Sequence, residues 1–405
     1  MQPIVVAEPY RFVPPREGTL VPRLLGWWLP RHLRETHGVV AVDCRGADRL
    51  RVSLAAGDGV MLAPNHCRPC DPMVLGLLAR EAGCLLNIMA SWHLFKGSRF
   101  RAWLLPRAGI FSVWREGLDR ESLACAIRIL VAARRPLVVF PEGAITRHND
   151  RLNHLMEGTA FIARSAAKQR AATAPPGRVV VHPVAVRYVL ASDLEAAVTP
   201  VLEGVERRIA WRPQRDLPLV ERVLKVGSAM LALKEIERLG APQGGEIGER
   251  VARFVDRLLV PLEEEWLKGR REPDTVGRVK LLRAAILPEL VAGGLPREEV
   301  ERRWRQLEDC YFAQALSCYP VGYFTPAPTP ERVLETVERF EEDMTDAVPP
   351  LARLRAVVDV GEAIPVAAAR RRGGEGDPLM AELRARLEAL LAASLAEARP
   401  GARMA

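Results

Sequence analysis

Four short runs of β-branched and other apolar residues punctuate the first half of the chain, at Val60–Ala63, Leu85–Met89, Leu137–Phe140 and Val179–Val186. Runs of this length and composition predict buried strands. Between them the apolar positions switch to helical spacing, over Met73–Arg80, Glu121–Ala133 and Met156–Lys168. Strands alternating with helices of this size predict an α/β fold, a central, mostly parallel or mixed sheet flanked by helices. This domain is placed at residues 41–215, behind an N-terminal amphipathic or capping segment at 1–40.

Beyond Arg212-Pro213 the strand signals fade. Helical patterns follow over Ile247–Lys268, Gly277–Leu290, Arg297–Ala315, Pro330–Asp346 and Pro378–Ala396, so residues 216–405 read as an α-helical C-terminal extension with a Pro-rich linker near 320–330. The last helix sets Leu379, Leu383, Leu387, Leu390 and Leu391 on one face, which reads as a packing face. No internal repeat stands out. Near the start, Leu24–Glu35 (LLGWWLPRHLRE) holds two tryptophans among leucines with arginines beside them. Two readings stand side by side for it, a segment lying in a membrane interface and a helix capping the α/β core.

The chain has 405 residues, 49% hydrophobic and 27% charged, an ordinary globular composition with apolar mass for one large domain or two smaller ones. Its formal charge of +8 invites a search for anionic partners. Only six of the 58 basic residues are lysines, however, and an arginine-rich proteome would produce the same skew. No run approaches the roughly 18 consecutive apolar residues of a spanning helix, and no basic-then-apolar leader opens the chain. Seven scattered cysteines, an odd number, fit reduced thiols better than a disulfide framework.

The chemistry concentrates where the first strand ends, in Ala63-Pro64-Asn65-His66-Cys67-Arg68-Pro69-Cys70-Asp71-Pro72. On one continuous helix His66 and Asp71 would point about 140° apart and never meet. Pro69 suits a first helical turn, which leaves His66 in the preceding loop and Asp71 in the opening turns, within reach of the imidazole. An aspartate on one ring nitrogen fixes the tautomer and frees the other nitrogen as a general base. Phe140-Pro141-Glu142-Gly143 ends another strand, with Glu142 offered to substrate hydroxyls and Gly143 permitting a tight turn. Gly109 through Arg115 ends in an arginine suited to phosphate. Pro183, inside the fourth apolar run, predicts an edge strand or a bulge. The polar loop Ala144–Leu155 reads as a mobile cover, and His182 as a satisfied core residue.

With these segments in this order the sequence resembles the glycerolipid acyltransferase family that includes 1-acylglycerol-3-phosphate acyltransferases. Asn65, His66 and Asp71 match its Asn-His-x-x-x-x-Asp block, Gly109 and Arg115 its glycine-to-arginine block, Phe140–Gly143 its Phe-Pro-Glu-Gly block, and Pro183 its valine-flanked proline. The likeness covers roughly residues 55–190. It implies transfer of a fatty acyl group from an acyl thioester, acyl-CoA or acyl-ACP on its acyl-carrier protein, to a hydroxyl of a lysophospholipid or glycerol phosphate. His66 and Asp71 would then be catalytic, and Asn65, Gly109, Arg115, Glu142, Gly143 and Arg147 would bind substrate, with no metal and no redox cofactor. The implied place is the cytoplasmic, inner face of the cell membrane, held peripherally on an anionic membrane surface. The sequence departs from the family at Trp114, often Asp or Asn, and by Ala144-Ile145 standing before Thr146-Arg147.

Other readings compete. Cys67-Arg68-Pro69-Cys70 fits a redox or metal site, although no second ligand pair accompanies it. The stretch Ala82–Arg115 has no acidic residue and interleaves Lys96, Arg99, Arg101, Arg107 and Arg115 with aromatics. Such a surface suits single-stranded nucleic acid or an anionic bilayer. Beside the acyltransferase blocks it is read as membrane-facing or phosphate-facing, with no nucleic acid. A non-catalytic lipid-binding protein is the third class.

Overall fold

The structure is a computed structural model, and it describes residues 8–347, 349–368 and 377–398. The first long helix, α1 (Leu20–His37), ends at Gly38 in a left-handed C-cap. Then come β1 (Val39–Arg45), α2 (Ala47–Ala55), β2 (Gly59–Pro64), α3 (Asp71–Ala82), β3 (Asn87–Ser91), α4 (His93–Lys96) and α5 (Arg99–Arg107). β4 (Ile110–Val113), α6 (Arg120–Ala132), β5 (Leu137–Val138), α7 (Gly158–Ala171) and β6 (Val179–Leu190) follow. The chain next forms α8 (Leu194–Arg208), α9 (Leu219–Leu239), α10 (Ile247–Leu267), α11 (Thr275–Ala292), α12 (Arg297–Leu316) and α13 (Pro330–Thr345). It closes with β7 (Leu354–Val360), β8 (Ile364–Pro365) and α14 (Pro378–Ala398).

Among the described residues the sheet has eight strands in the order β1-β7-β6-β2-β5-β3-β4, with β8 added antiparallel to β6. The five strands β6-β2-β5-β3-β4 are mutually parallel, so their C-terminal ends share one edge. Each crossover carries a helix, as parallel pairing requires. Successive residues of a strand point to opposite faces. Met61 and Ala63 accordingly join a core with α6, α7 and α14, including Leu130, Ile162 and Leu383. Helices α1–α3 cover the other face, where Leu33, Leu50, Leu75 and Leu78 are fully buried.

The chain divides into two compact units, one of Tyr10–Val189 with the chain from Leu354 onward, the other spanning Leu190–Arg353. The first boundary thus falls near 190 rather than 215, and the helical region is an insertion rather than an extension. After it, β7 enters the sheet between β1 and β6, and Leu379, Leu383 and Leu387 of α14 join the sheet's core. The sequence hid β7 because Arg355 and Asp359 interrupt its apolar run, and β1 because it lies at the sheet's edge with one strand neighbour. β4 has only four residues.

β6 is an interior strand, contrary to the expectation raised by Pro183. Pro183 pairs with Ala63 of β2 on one side, and on the other its carbonyl accepts from Gly361 N–H just past the end of β7. The missing N–H therefore falls where a neighbouring strand stops, which spares the ladder.

The helical unit also contains a repeat that composition alone concealed. Glu206 near the end of α8 accepts from Arg222 of α9 and from Gln214 N–H in the turn between them. Glu235 of α9 does the same with Arg250 of α10 and Gln243 N–H. Glu263 of α10 binds Arg278 of α11, and here Arg271 takes the turn position. The three glutamates are fully buried and recur at about 28 residues, within the range of helical repeats. Each joins the end of one helix to the start of the next. The segment 320–329 between α12 and α13 is non-helical, as its prolines predict.

Candidate active site

His66 leaves β2 at the shared C-terminal edge, and Asp71 is the first residue of α3. The loop between them turns the imidazole back onto the carboxylate, with His66 Nδ1 2.8 Å from Asp71 Oδ2. Asp71 is fully buried and meets four donors, among them the Cys67 thiol at 3.8 Å. Arg68 N–H reaches Oδ2 at 2.9 Å, and Tyr188 Oη donates to Oδ1 at 2.6 Å. Burial beside Asp71 raises the Tyr188 phenol well above its ordinary value, so the phenol stays a donor. A carboxylate filled by donors can only accept from His66, so the proton sits on Nδ1 and Nε2 keeps its lone pair. Nε2 has no hydrogen-bond partner among the described residues. The His66 side chain is 15% exposed, and the ring stacks on Phe140 at 3.9 Å between centroids.

The Phe140–Gly143 block acts on the backbone of His66 more than on its ring. Glu142 Oε1 accepts His66 N–H at 2.9 Å and Oε2 accepts Asn153 N–H at 2.8 Å. Both oxygens of a side chain only 2% exposed are thereby occupied, so the expectation that Glu142 binds substrate hydroxyls is corrected: it is a positioning residue. Thr146 closes the other side, its N–H and hydroxyl both donating to the His66 carbonyl.

Burial pushes the Glu142 carboxyl up to about 7, against the pull of its two backbone donors. In the interval between the ordinary carboxylate value and about 7 the folded state holds the extra proton, so stability falls as pH rises through it. Urea midpoints compared at about pH 5 and about pH 8 should show wild type losing up to about 3 kcal/mol more than Glu142→Gln, which has no proton to lose. Parallel slopes for the two proteins would contradict this assignment.

Asn65, expected to bind substrate, is spent on the scaffold. Its amide donates to Val186 carbonyl at 2.9 Å and accepts from Val186 N–H at 2.7 Å. β2 pairs with β6 only as far as Val184, and the Asn65 amide supplies the next rung of the ladder. Asn149 repeats the device two residues on, accepting from Tyr188 N–H and donating to Tyr188 carbonyl. These two amides extend β6 to where Tyr188 meets Asp71. The loop that carries Asn149 is no mobile cover, since Ala144, Thr146, His148, Asn149, Leu152 and Leu155 are all buried.

Gly109 is likewise absent from the site, because it opens β4 at the opposite end of the strand from Arg115. Its φ is +85°, and a Cβ there would lie 2.5 Å from the Leu86 carbonyl oxygen, so backbone crowding demands glycine. Arg115, just beyond the C-terminal end of β4, does reach the Phe-Pro-Glu-Gly loop, donating from Nη1 to Gly143 carbonyl at 3.1 Å. Gly143 has φ +69°, and a side chain there would collide with Met156. Arg147, half-buried with φ +61°, follows the residue that clamps His66.

Sequence reasoning missed Tyr188, Asn149, Phe140 and the Thr146 clamp on His66. Tyr188 and Asn149 had no signal, because each acts through contacts distant in sequence, whereas Phe140 lay inside a recognised block without a role. Cys67 and Cys70 are buried and form no disulfide, and burial pushes Cys70 up to about 12, so it is a neutral thiol beside Tyr188. Among the described residues no three His, Cys, Asp or Glu side chains converge on a metal position. His182 is satisfied as expected, between Ser53 hydroxyl and Gly361 carbonyl.

No curated protein matches the chain. Residues 41–187 match the family model described as Acyltransferase, and this stretch holds the paired histidine and aspartate, the glutamate that holds the histidine backbone and the arginine at the sheet edge. Over that span the chain carries an Acyltransferase domain, a module of acyl transfer in lipid metabolism.

Proposed function

We propose that the protein transfers a fatty acyl group from acyl-CoA or acyl-ACP to a hydroxyl of a lysophospholipid or glycerol phosphate, with 1-acylglycerol-3-phosphate, giving phosphatidate, as the leading acceptor. The observation that carries this reading is the His66–Asp71 pair at 2.8 Å, with a lone pair on Nε2 at the open edge of a parallel sheet. Nε2 takes the proton of the acceptor hydroxyl as its oxygen attacks the thioester carbonyl. The tetrahedral intermediate collapses with cleavage of the C–S bond, and the proton passes from Nε2 to the departing thiolate. Asp71 and Tyr188 hold the imidazole through both transfers. Arg115 is the phosphate ligand of this reading, a planar cation on the rim beside Gly143. An anionic membrane surface supplies the acceptor.

Purified protein incubated with long-chain acyl-CoA or acyl-ACP and a panel of glycerol 3-phosphate, lysophosphatidate and other lysolipids should release one thiol per ester formed, with lysophosphatidate preferred. Cys67→Ser/Cys70→Ser should keep this activity. Absence of ester from every acceptor, or transfer that vanishes only with the cysteine pair, would overturn the proposal.

A further inference from the structure

The matched stretch ends at residue 187, yet the last helix of the chain, α14, reaches the loop that holds His66. Two arginines of the sheet domain anchor it. Arg164 of α7 donates from Nε and Nη2 to the two oxygens of Asp377, at 3.0 and 2.6 Å, and from Nη1 to the Ala367 carbonyl at 3.0 Å. Asp377 also accepts Leu379 N–H at 2.9 Å, so one carboxylate serves both the clamp and the first turn of α14. Further along, Arg187 of β6 donates to the Leu391 carbonyl at 2.8 Å. Leu383 and Leu387, between the two anchors, are fully buried. Contacts at both ends and a buried face between them fix the register of α14 against the sheet.

That register presents Arg384 to the Phe-Pro-Glu-Gly side of the site. Its Nη2 donates to the Asn153 carbonyl, and the N–H of the same Asn153 is the one that Glu142 Oε2 accepts at 2.8 Å. Glu142 Oε1 accepts His66 N–H. A line of hydrogen bonds therefore runs from α14 through one backbone amide and one carboxylate to the backbone of His66.

Charge follows the same path. Burial pushes the Glu142 carboxyl up to about 7, the His66 and Asn153 amides favour its charged form, Asp71 of α3 opposes that form, and Arg384 favours it. Arg115 lies against the neighbouring Gly143 carbonyl, and Glu388 pairs with Arg384 Nη1 at 3.0 Å. Only the ionised carboxylate serves both amides. A protonated carboxyl places an O–H where one of them needs an acceptor, so either His66 or Asn153 loses its partner. For a carboxyl that titrates near neutrality, one neighbouring cation decides how often that happens.

We infer that Arg384 is a positioning residue of the acyl-transfer centre: through Asn153 and Glu142 it fixes the backbone of His66, which makes α14 part of the catalytic module although it lies beyond the matched stretch. This role rests on the general-base reading of His66 given above, whereas the hold on Glu142 needs no turnover.

The test uses the full chain with Arg384→Gln, which keeps a donor for Asn153 and loses the charge, with Arg384→Lys, which keeps the charge, and with Arg384→Gln in a Glu142→Gln background. Arg384→Gln should lower kcat about fivefold at about pH 7, the effect of moving the Glu142 carboxyl up by about one unit, with KM within about twofold. The loss should shrink to less than about twofold by about pH 9, where the carboxyl is ionised in both proteins. Arg384→Lys should stay within about twofold of wild type throughout. Without the Glu142 carboxyl, the Arg384 change should have no pH-dependent effect. A loss of equal size at every pH, no loss at all, or the same pH-dependent loss in the Glu142→Gln background would overturn the inference. Should wild type form no ester, the reaction falls and urea midpoints read the hold by itself. The Arg384→Gln midpoint should keep falling from about pH 7 to about pH 9, where that of wild type falls less, because the raised folded-state carboxyl then loses its proton at higher pH. Parallel midpoints over that interval would overturn the hold as well.

Discussion

Exchange of His66 for alanine is expected to lower acyl transfer by about 10²–10⁴-fold, the usual contribution of a positioned general base, with the folded state unchanged. The ring is partly exposed and stacks on one side only, so its loss opens no deep cavity. Asp71→Asn is the sharper experiment and should cost at least as much, toward 10⁴-fold, although it alters a single charge. The carboxylate receives donors from His66, Arg68 and Tyr188. An amide has one acceptor oxygen to meet them and one NH₂ group that would face a donor. If the NH₂ faces His66, Nδ1 must accept, the ring proton moves to Nε2 and the base is lost. If the oxygen faces His66, the NH₂ faces Tyr188, whose hydroxyl must turn from donor to acceptor in a fully buried position and give up its hold on the carboxylate. Single-turnover transfer with circular dichroism as the folding control reads the outcome. Turnover of Asp71→Asn within a fewfold of wild type would remove this pair from the mechanism.

Removing the carboxylate of Glu206 by alanine substitution should destabilise the helical unit by about 3–5 kcal/mol. Arg222 is 5% exposed and gives two hydrogen bonds to Glu206, at 2.8 and 2.6 Å, while Gln214 N–H gives a third. Deleting the acid strands a guanidinium and a backbone donor away from water. The double variant Glu206→Leu/Arg222→Leu should recover much of the loss, because a paired apolar replacement leaves no buried charge. Urea unfolding of the three proteins decides the matter. If the single and double variants are equally unstable, the ion pair is not what joins α8 to α9.

What the sequence discloses and what it hides follow from how each signal is carried. Val60–Ala63 and Val179–Val186 are legible as strands because a parallel strand buried on both faces is an uninterrupted apolar run. The His66–Asp71 geometry is legible too, since a proline at a helix start leaves His66 in the loop before it, although the proline of the first turn is Pro72 and Pro69 lies in the turn ahead of α3. The roles of Asn65 and Glu142 are not, because a polar residue at a strand end can serve substrate and scaffold with the same atoms. Only the backbone partners, Val186 for one and His66 with Asn153 for the other, tell them apart. Gly109 illustrates the same ambiguity from the conformational side: a glycine near a phosphate-type arginine looks like a ligand loop, and the positive φ against Leu86 makes it a turn. The repeat in the helical unit escaped notice because three glutamate–arginine pairs among so many charged residues have no weight until burial singles them out.

Placing β7 between β1 and β6 has a consequence for synthesis on the ribosome. Every strand from β1 to β6 emerges before the inserted helices, yet the sheet lacks an interior member until Leu354–Val360 has been made. A nascent chain paused anywhere in the insertion holds β1 apart from β6 and leaves an unpaired strand edge in each, the kind of edge that recruits other chains. Closure joins partners on either side of more than a hundred and fifty intervening residues, a high-contact-order step of the sort that slows folding and favours prior, independent folding of the insert. Prompt folding of the helices shortens the span across which the two edges must find β7.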